Sequence, residues 1–288
     1  MRFGKRATIL ATVLAGGLGL APAAGSAAEP REAKLTYDVH IGGIRAVTLD
    51  LSIGLAPEAY QVKVRFGTDG WIGRLVDWQM DANSSGRIED GAIRPVAAAS
   101  TSRWNRKERL IGLRYSPEGV VDIVRAEPPL GEGRDGIPDA WRRNTLDLAS
   151  AVLTLVRGVE RGGRCGGTLP VFDGRRRYDL VAEDLGEDTI RRTRYGIYSG
   201  KAVACRLAWQ RYEKPGGDAD AWQPPSESTA RDTELAAWLA PVAKGLPPVP
   251  VLLQMEMRIG EARAHLVRGE VIDGAGRRQL LVAENPAN

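Results

Sequence analysis

In 288 residues the chain carries two histidines, two cysteines and three phenylalanines. Each scarcity closes off a class of function. His40 and His265 both fall in alternating, strand-like segments, with no cysteine or carboxylate cluster at metal-ligand spacing beside them, so no metal site is expected. Cys165 and Cys205 lack the Cys-x-x-Cys spacing of a redox centre. No Gly-x-Ser-x-Gly elbow is present, and Asp and Glu are scattered along strand faces, where solvated surface is the default. The chain reads as non-enzymatic and without a cofactor; a hydrolase working through two carboxylates is the remote alternative.

A long apolar run is also missing, except at the start. Arg2, Lys5 and Arg6 precede the Gly- and Ala-diluted segment 7–21, and "APAAGSAA" supplies small residues for cleavage. Residues 1–28 therefore read as a secretory signal peptide, and the absence of a cysteine there leaves no lipoprotein attachment point. A periplasmic location follows as the expectation, with nothing that spans a membrane once the signal is removed. Removing 1–28 takes away three basic side chains and no acidic one, so the formal charge drops from +4 to +1. A near-neutral mature chain argues against nucleic acid as a partner. In an exported chain, Cys165 and Cys205 most simply form one disulfide.

What is abundant is alternation. From Lys34 to Arg125 apolar residues recur with period two, as in "KLTYDVHI" and "AYQVKVRF", between Gly, Pro, Asn and Asp turns. The pattern predicts an antiparallel all-β sandwich or barrel. It is interrupted at 128–145, after which "LASAVLTLVRG" reads as one buried helix, capped by Asp147 and stopped by Gly158. Strands resume beyond it. The Pro/Gly/Ser-rich stretch 214–232 reads as a mobile insertion loop and 277–288 as a tail, so that 29–288 is one β-rich domain.

Several apparent motifs dissolve on inspection. "GEGRDG" (131–136) matches a dinucleotide-binding pattern, but prolines flank it where a strand and a helix are required. "DANSSGRIE" (81–89) resembles half a calcium loop, yet Ala92 holds the position of the bidentate Glu; a hairpin turn is expected there. In "LPVFDGRRRYDL" (169–180), a type I′ turn at Asp173-Gly174 would set Phe172 opposite Arg175 and Val171 opposite Arg176. Leu169, Val171, Tyr178 and Leu180 would then share a face with Arg176, while Arg175 and Arg177 lie on the other. The arginines are split between faces, so a hairpin tip is expected and not an anion cradle; Arg176 remains a candidate for a cavity rim.

Tryptophan, by contrast with phenylalanine, is plentiful. Trp71, Trp78, Trp104, Trp209 and Trp238 lie in or beside strand-like segments. Core packing is their ordinary role; Trp71, Trp78, Trp104 and Trp238 are also candidates to line an apolar cavity in a barrel.

The succession "LTYDVHIGGIRAVTLDLSI", "SSGRIEDGAIRPVAAAS", "RKERLIGLRYS", "NTLDLASAVLTLVRGV", "LPVFDGRRRYDLVAE", "GKAVACRLAWQRYE" and "LAPVAKGLPPVPVLLQMEMRIGEARAHL" resembles the exported proteins of domain-of-unknown-function family 3108. The resemblance spans nearly the whole mature chain. It implies a mainly β architecture: a curved antiparallel sheet forming a half-barrel or barrel-like domain wrapped around one main helix. That architecture is similar to periplasmic lipoprotein carriers and a sigma-factor regulator, which hold or sense lipid on the concave face. By that analogy the expected partner is a lipid or other amphiphile, or an envelope protein.

Overall fold

The computed structural model describes residues 31–129, 139–211, 234–243, 246–257 and 260–281. The signal peptide and the 214–232 loop expected from the sequence lie outside these residues. The architecture is mainly β, one antiparallel sheet of 14 strands around one long helix.

Seven strands precede the helix: β1 (Arg31–Ile41), β2 (Ile44–Leu55), β3 (Ala59–Thr68), β4 (Trp78–Glu89), β5 (Ala92–Trp104), β6 (Lys107–Tyr115) and β7 (Val121–Glu127). A short helix α1 (Gly70–Leu75) separates β3 from β4. Each of these strands pairs with the next as a meander, because two-residue turns at Gly42-Gly43, Asp90-Gly91 and Asn105-Arg106 take the positive φ values that match strand twist. Helix α2 (Leu148–Gly162) follows, then β8 (Gly167–Phe172), β9 (Arg177–Ile190), β10 (Gly200–Arg211), β11 (Glu234–Ala240), β12 (Val249–Met257), β13 (Gly260–Ile272) and β14 (Arg278–Leu281). The order β7-β6-β5-β4-β3-β2-β1-β13-β12-β11-β10-β9-β8 joins the two meanders through β1 and β13, with β14 attached to β13. Residues 278–281, expected as tail, instead form that strand, because Leu281 packs against Gly269 and the core.

No ladder joins β7 to β8, so the sheet is barrel-like and not closed by strand pairing. Side chains and a linker bring its two edges together. Arg143 bridges to Val120 at the foot of β7, and Leu146 runs parallel to Val171 of β8, exchanging Leu146 N–H to Pro170 O (2.8 Å) and Phe172 N–H to Leu146 O (2.9 Å). Phe172 is fully buried in a separate cluster with Ala98, Ile111, Leu113, Tyr115 and Val121 from β5, β6 and β7.

The β8–β9 turn completes this seal. Its register is Phe172 opposite Arg177 and Val171 opposite Tyr178, two residues beyond the sequence expectation. The Asp173 carboxylate accepts from the amides of Arg175 (2.8 Å) and Arg176 (2.7 Å), so Asp173 begins the turn instead of occupying its centre. A shift of two preserves faces, and Leu169 and Val171 do share theirs with Tyr178 and Leu180. Gly174 lies against Ile111 so closely that a Cβ would come within 2.5 Å of the isoleucine Cγ2. Arg175 donates to Pro128 O (2.9 Å), tying the turn to the end of β7.

Helix α2 is capped as expected by Asp147, whose carboxylate accepts from Ser150 N–H (3.0 Å). It does not stop at Gly158. Val159 continues the buried stripe of Ala151, Leu153, Leu155 and Val156, which holds Gly158 in the helix until Gly163 (φ 67°) ends it. "DANSSGRIE" likewise makes no turn: it is the straight body of β4. Gly86 serves close approach, since a Cβ there would lie 2.1 Å from Arg94 O across the β4–β5 bulge.

Candidate functional site

Register fixes which side chains share the helix-facing side of the sheet. Tyr60 of β3 and Ser84 of β4 reach α2 directly: Tyr60 Oη and Ser150 Oγ are 2.7 Å apart, and Ser84 Oγ donates to Asp147 Oδ2 at 2.9 Å. Ser150 Oγ also donates to that carboxylate oxygen. The four residues form a buried polar knot between helix N-terminus and sheet. Burial raises the Asp147 pKa against the lowering effect of its hydrogen bonds, and pushes the Tyr60 phenol to about 12.

Alternation carries that face along β3 through Val62, Val64 and Phe66, and along β4 through Ala82, Met80 and Trp78. Cross-strand rows extend it. Ile53, Val62, Ser84, Ala98 and Leu113 stand side by side and are all buried, Ser84 against α2 and Ala98 and Leu113 around Phe172. Two rows further on, Leu49, Phe66, Met80 and Ser102 are only half-buried. Beyond them Trp78 faces Trp104, both half-buried, their rings 6.1 Å apart edge-on, with Phe66 packed 4.6 Å from Trp78. The inner surface thus grades from a filled stretch under α2 to a half-buried, aromatic stretch around Phe66, Trp78 and Trp104. Lys107, exposed, pairs with Trp104 at its border, and half-buried Arg109 pairs with Ser102.

The remaining candidate residues are distributed elsewhere. Trp238 sits far along the sheet on β11, opposite Ala204 and Leu252, where its indole Nε1 donates to Asp188 Oδ2 (2.8 Å). It does not join Trp78 and Trp104. Trp209 pairs with Leu180 and packs on the main core. Trp71 falls in α1, and its side chain lies outside the described residues. Arg176 is half-buried in the sealing turn, where its charge and that of Arg175 offset the buried Asp173 carboxylate; burial still raises the Asp173 pKa. It belongs to the seal and not to a rim beside the tryptophans. Cys165 and Cys205 are joined as a disulfide with Cα atoms 5.7 Å apart, linking the end of the α2 connection to β10.

A concavity of about 860 Å³ lies on the opposite face of the sheet, across β1 to β4, β13 and β14. Sequence reading missed it, because its walls are the polar half of ordinary alternating strands. Lys34, Lys63, Arg65 and Arg268 share it with Asp50, Asp81 and Glu270, and Arg65 pairs with Asp81 at 2.6 Å. Among the described residues no group of three or more His, Cys, Asp or Glu is placed to hold a metal. Nor is any described helix long and apolar enough to cross a membrane.

No curated protein matches the chain. Among solved structures it is similar to a β-barrel-like protein of the domain of unknown function DUF1849 from Brucella abortus, at 13% identity and a TM-score of 0.47, covering 84% of this chain and 98% of that one. Residues 36–267 match the model of a protein family of unknown function. The chain belongs to that family, DUF3108.

Proposed function

We propose that this is a non-enzymatic periplasmic protein, exported through residues 1–28, that binds an apolar or amphipathic envelope molecule such as a lipid or lipoprotein acyl chain, and in that way supports the envelope. The observation that carries the reading is the graded inner face. Its aromatic stretch is lined by Leu49, Phe66, Met80, Trp78 and Trp104, all half-buried, while the same face under α2 is filled. Large aromatic surface left partly wet on a concave face gains by covering an apolar chain. Lys107 at its border supplies a cation for an acidic headgroup.

A fatty acid brominated along its chain should quench tryptophan emission on binding. In a Trp78→Phe/Trp104→Phe variant most of that quenching should vanish, while melting stays near wild type. Equal quenching in both proteins would place the ligand elsewhere.

The polar trough on the outer face favours a second reading, a sensor or adaptor that contacts another envelope protein. Its mixed charges suit a partner of complementary pattern more than an acyl chain. Charge reversals at Lys63 and Arg268 that abolish a pull-down partner while leaving lipid binding intact would support it.

A further inference from the structure

The two histidines of the chain, remote in sequence, meet in the fold. His40 on β1 and His265 on β13 have ring centroids 6.1 Å apart. Tyr195 lies against both, edge-on to His40 at 4.9 Å and stacked on His265 at 5.6 Å. Tyr195 belongs to the irregular segment 191–199 between β9 and β10.

That segment occupies a split in the sheet. β13 pairs with β12 from Gly260 to His265 and no further; β14 takes over at Gly269. Between the two, Ile197 N–H donates to Leu266 O (2.8 Å), and Gly196 packs on Leu266 O and on the His265 side chain. Ile197 and Tyr198 pack on the core. The segment is a strap across the seam, and Tyr195 pins it where the β12–β13 ladder ends.

We propose that the His40–Tyr195–His265 stack is a proton-operated latch: a neutral His265 imidazole holds the 191–199 strap in the β12–β13 seam, and charging it releases the strap.

The surroundings oppose a positive charge on His265. Arg263 of β13 is directly opposite His40, and the Arg194 guanidinium already sits 4.9 Å over the Tyr195 ring. Arg45 of β2 pairs with His40 on its other side. Of the nearby acids, Asp38, which stands directly opposite His265, and Asp69 pair with Arg45 (3.4 and 2.9 Å), and Glu261 pairs through Oε2 with Arg263 (2.8 Å). From β12, Leu252 and Gln254 stand opposite His265 and Arg263 and bring no charge; Glu256 faces Glu261. His40 Nδ1 beside it is buried without a hydrogen-bond partner. Burial, His40 and Arg263 together lower the His265 pKa. A lowered pKa in the closed state means the closed state binds fewer protons. Closure is therefore favoured above the ordinary histidine pKa of about 6.5 and lost as pH falls through the lowered value.

Hydrogen exchange of the full chain at pH 7.5 and pH 5.0, corrected for intrinsic rates, reads the latch directly. Protection across 191–199, above all at Ile197 N–H, which donates to Leu266 O, should fall about tenfold or more at the lower pH, with α2 and β3–β6 unchanged. Tyr195→Ala should be open at both values, and His265→Gln should lose the pH dependence. Equal strap protection in the wild type at the two pH values overturns the proposal, as does loss of protection across α2 in parallel, which would mean global acid unfolding.

Discussion

Truncating Phe172 to alanine tests how the barrel is sealed. The ring is completely buried, and it is the β8 residue in the cluster that β5, β6 and β7 supply. Its removal deletes apolar contact to Ile111, Leu113, Tyr115 and Val121, at a gap no ladder spans. Fully buried Phe→Ala changes cost about 3–5 kcal/mol, the upper part of that range applying where neighbours cannot collapse. For a domain of this size 1 kcal/mol shifts the melting temperature by about 2–4 °C, so a fall on the order of 10 °C is expected. Calorimetry and urea unfolding of the mature protein give the number. Exchange should quicken first along β6, β7 and β8, leaving β1 and β13 protected. Val124→Ala, at a side chain that is 52% exposed on β7, is the control and should fall within about 0.5 kcal/mol of wild type. If Phe172→Ala melted like Val124→Ala, the hairpin tip would not be what joins the two edges.

Three other perturbations probe separate parts of the account. Asp147→Ala should cost about 1–2 kcal/mol for the lost cap, and more because Ser84 and Ser150 lose a buried acceptor. Since burial raises the Asp147 pKa, its contribution is fully present below the unfolded value near 4 and is lost as pH rises through the folded value; Asp147→Asn should flatten that part of the stability–pH curve. Gly86→Ala should destabilise by about 1–3 kcal/mol in chemical denaturation, because the new methyl meets Arg94 backbone and not a flexible side chain. Reducing Cys165–Cys205, which closes a span of 40 residues, should lower stability by about 4 kcal/mol; identical melts with and without reductant would refute a stabilising role.

Strand alternation made the architecture legible, because burial on one face of a sheet imprints period two on every strand. Asp147 was legible as a cap for the same local reason. What failed were inferences from single residues with two uses. Gly158 read as a helix stop and the segment 81–89 around Gly86 as a hairpin turn, yet Gly158 is carried by a buried stripe and Gly86 lets strands approach. Asp173 read as a turn centre, whereas its carboxylate moved the turn by accepting two amides. The pairing of Trp78 with Trp104 depends on the β4–β5 register, and the meeting of His40 with His265 on the pairing of β1 with β13. Neither contact has a local signature, and the outer trough draws its walls from β1 to β4, β13 and β14, which only the strand order brings together.

The central claim is that the half-buried aromatic stretch of the inner face holds an amphiphile. Native mass spectrometry with lipid extraction of mature protein purified from a periplasm tests it most directly. The account predicts a stoichiometric co-purifying lipid or other amphiphile that is lost from the Trp78→Ala/Trp104→Ala protein. A bare mass at the disulfide-bonded value, or the same ligand retained by that variant, would contradict it.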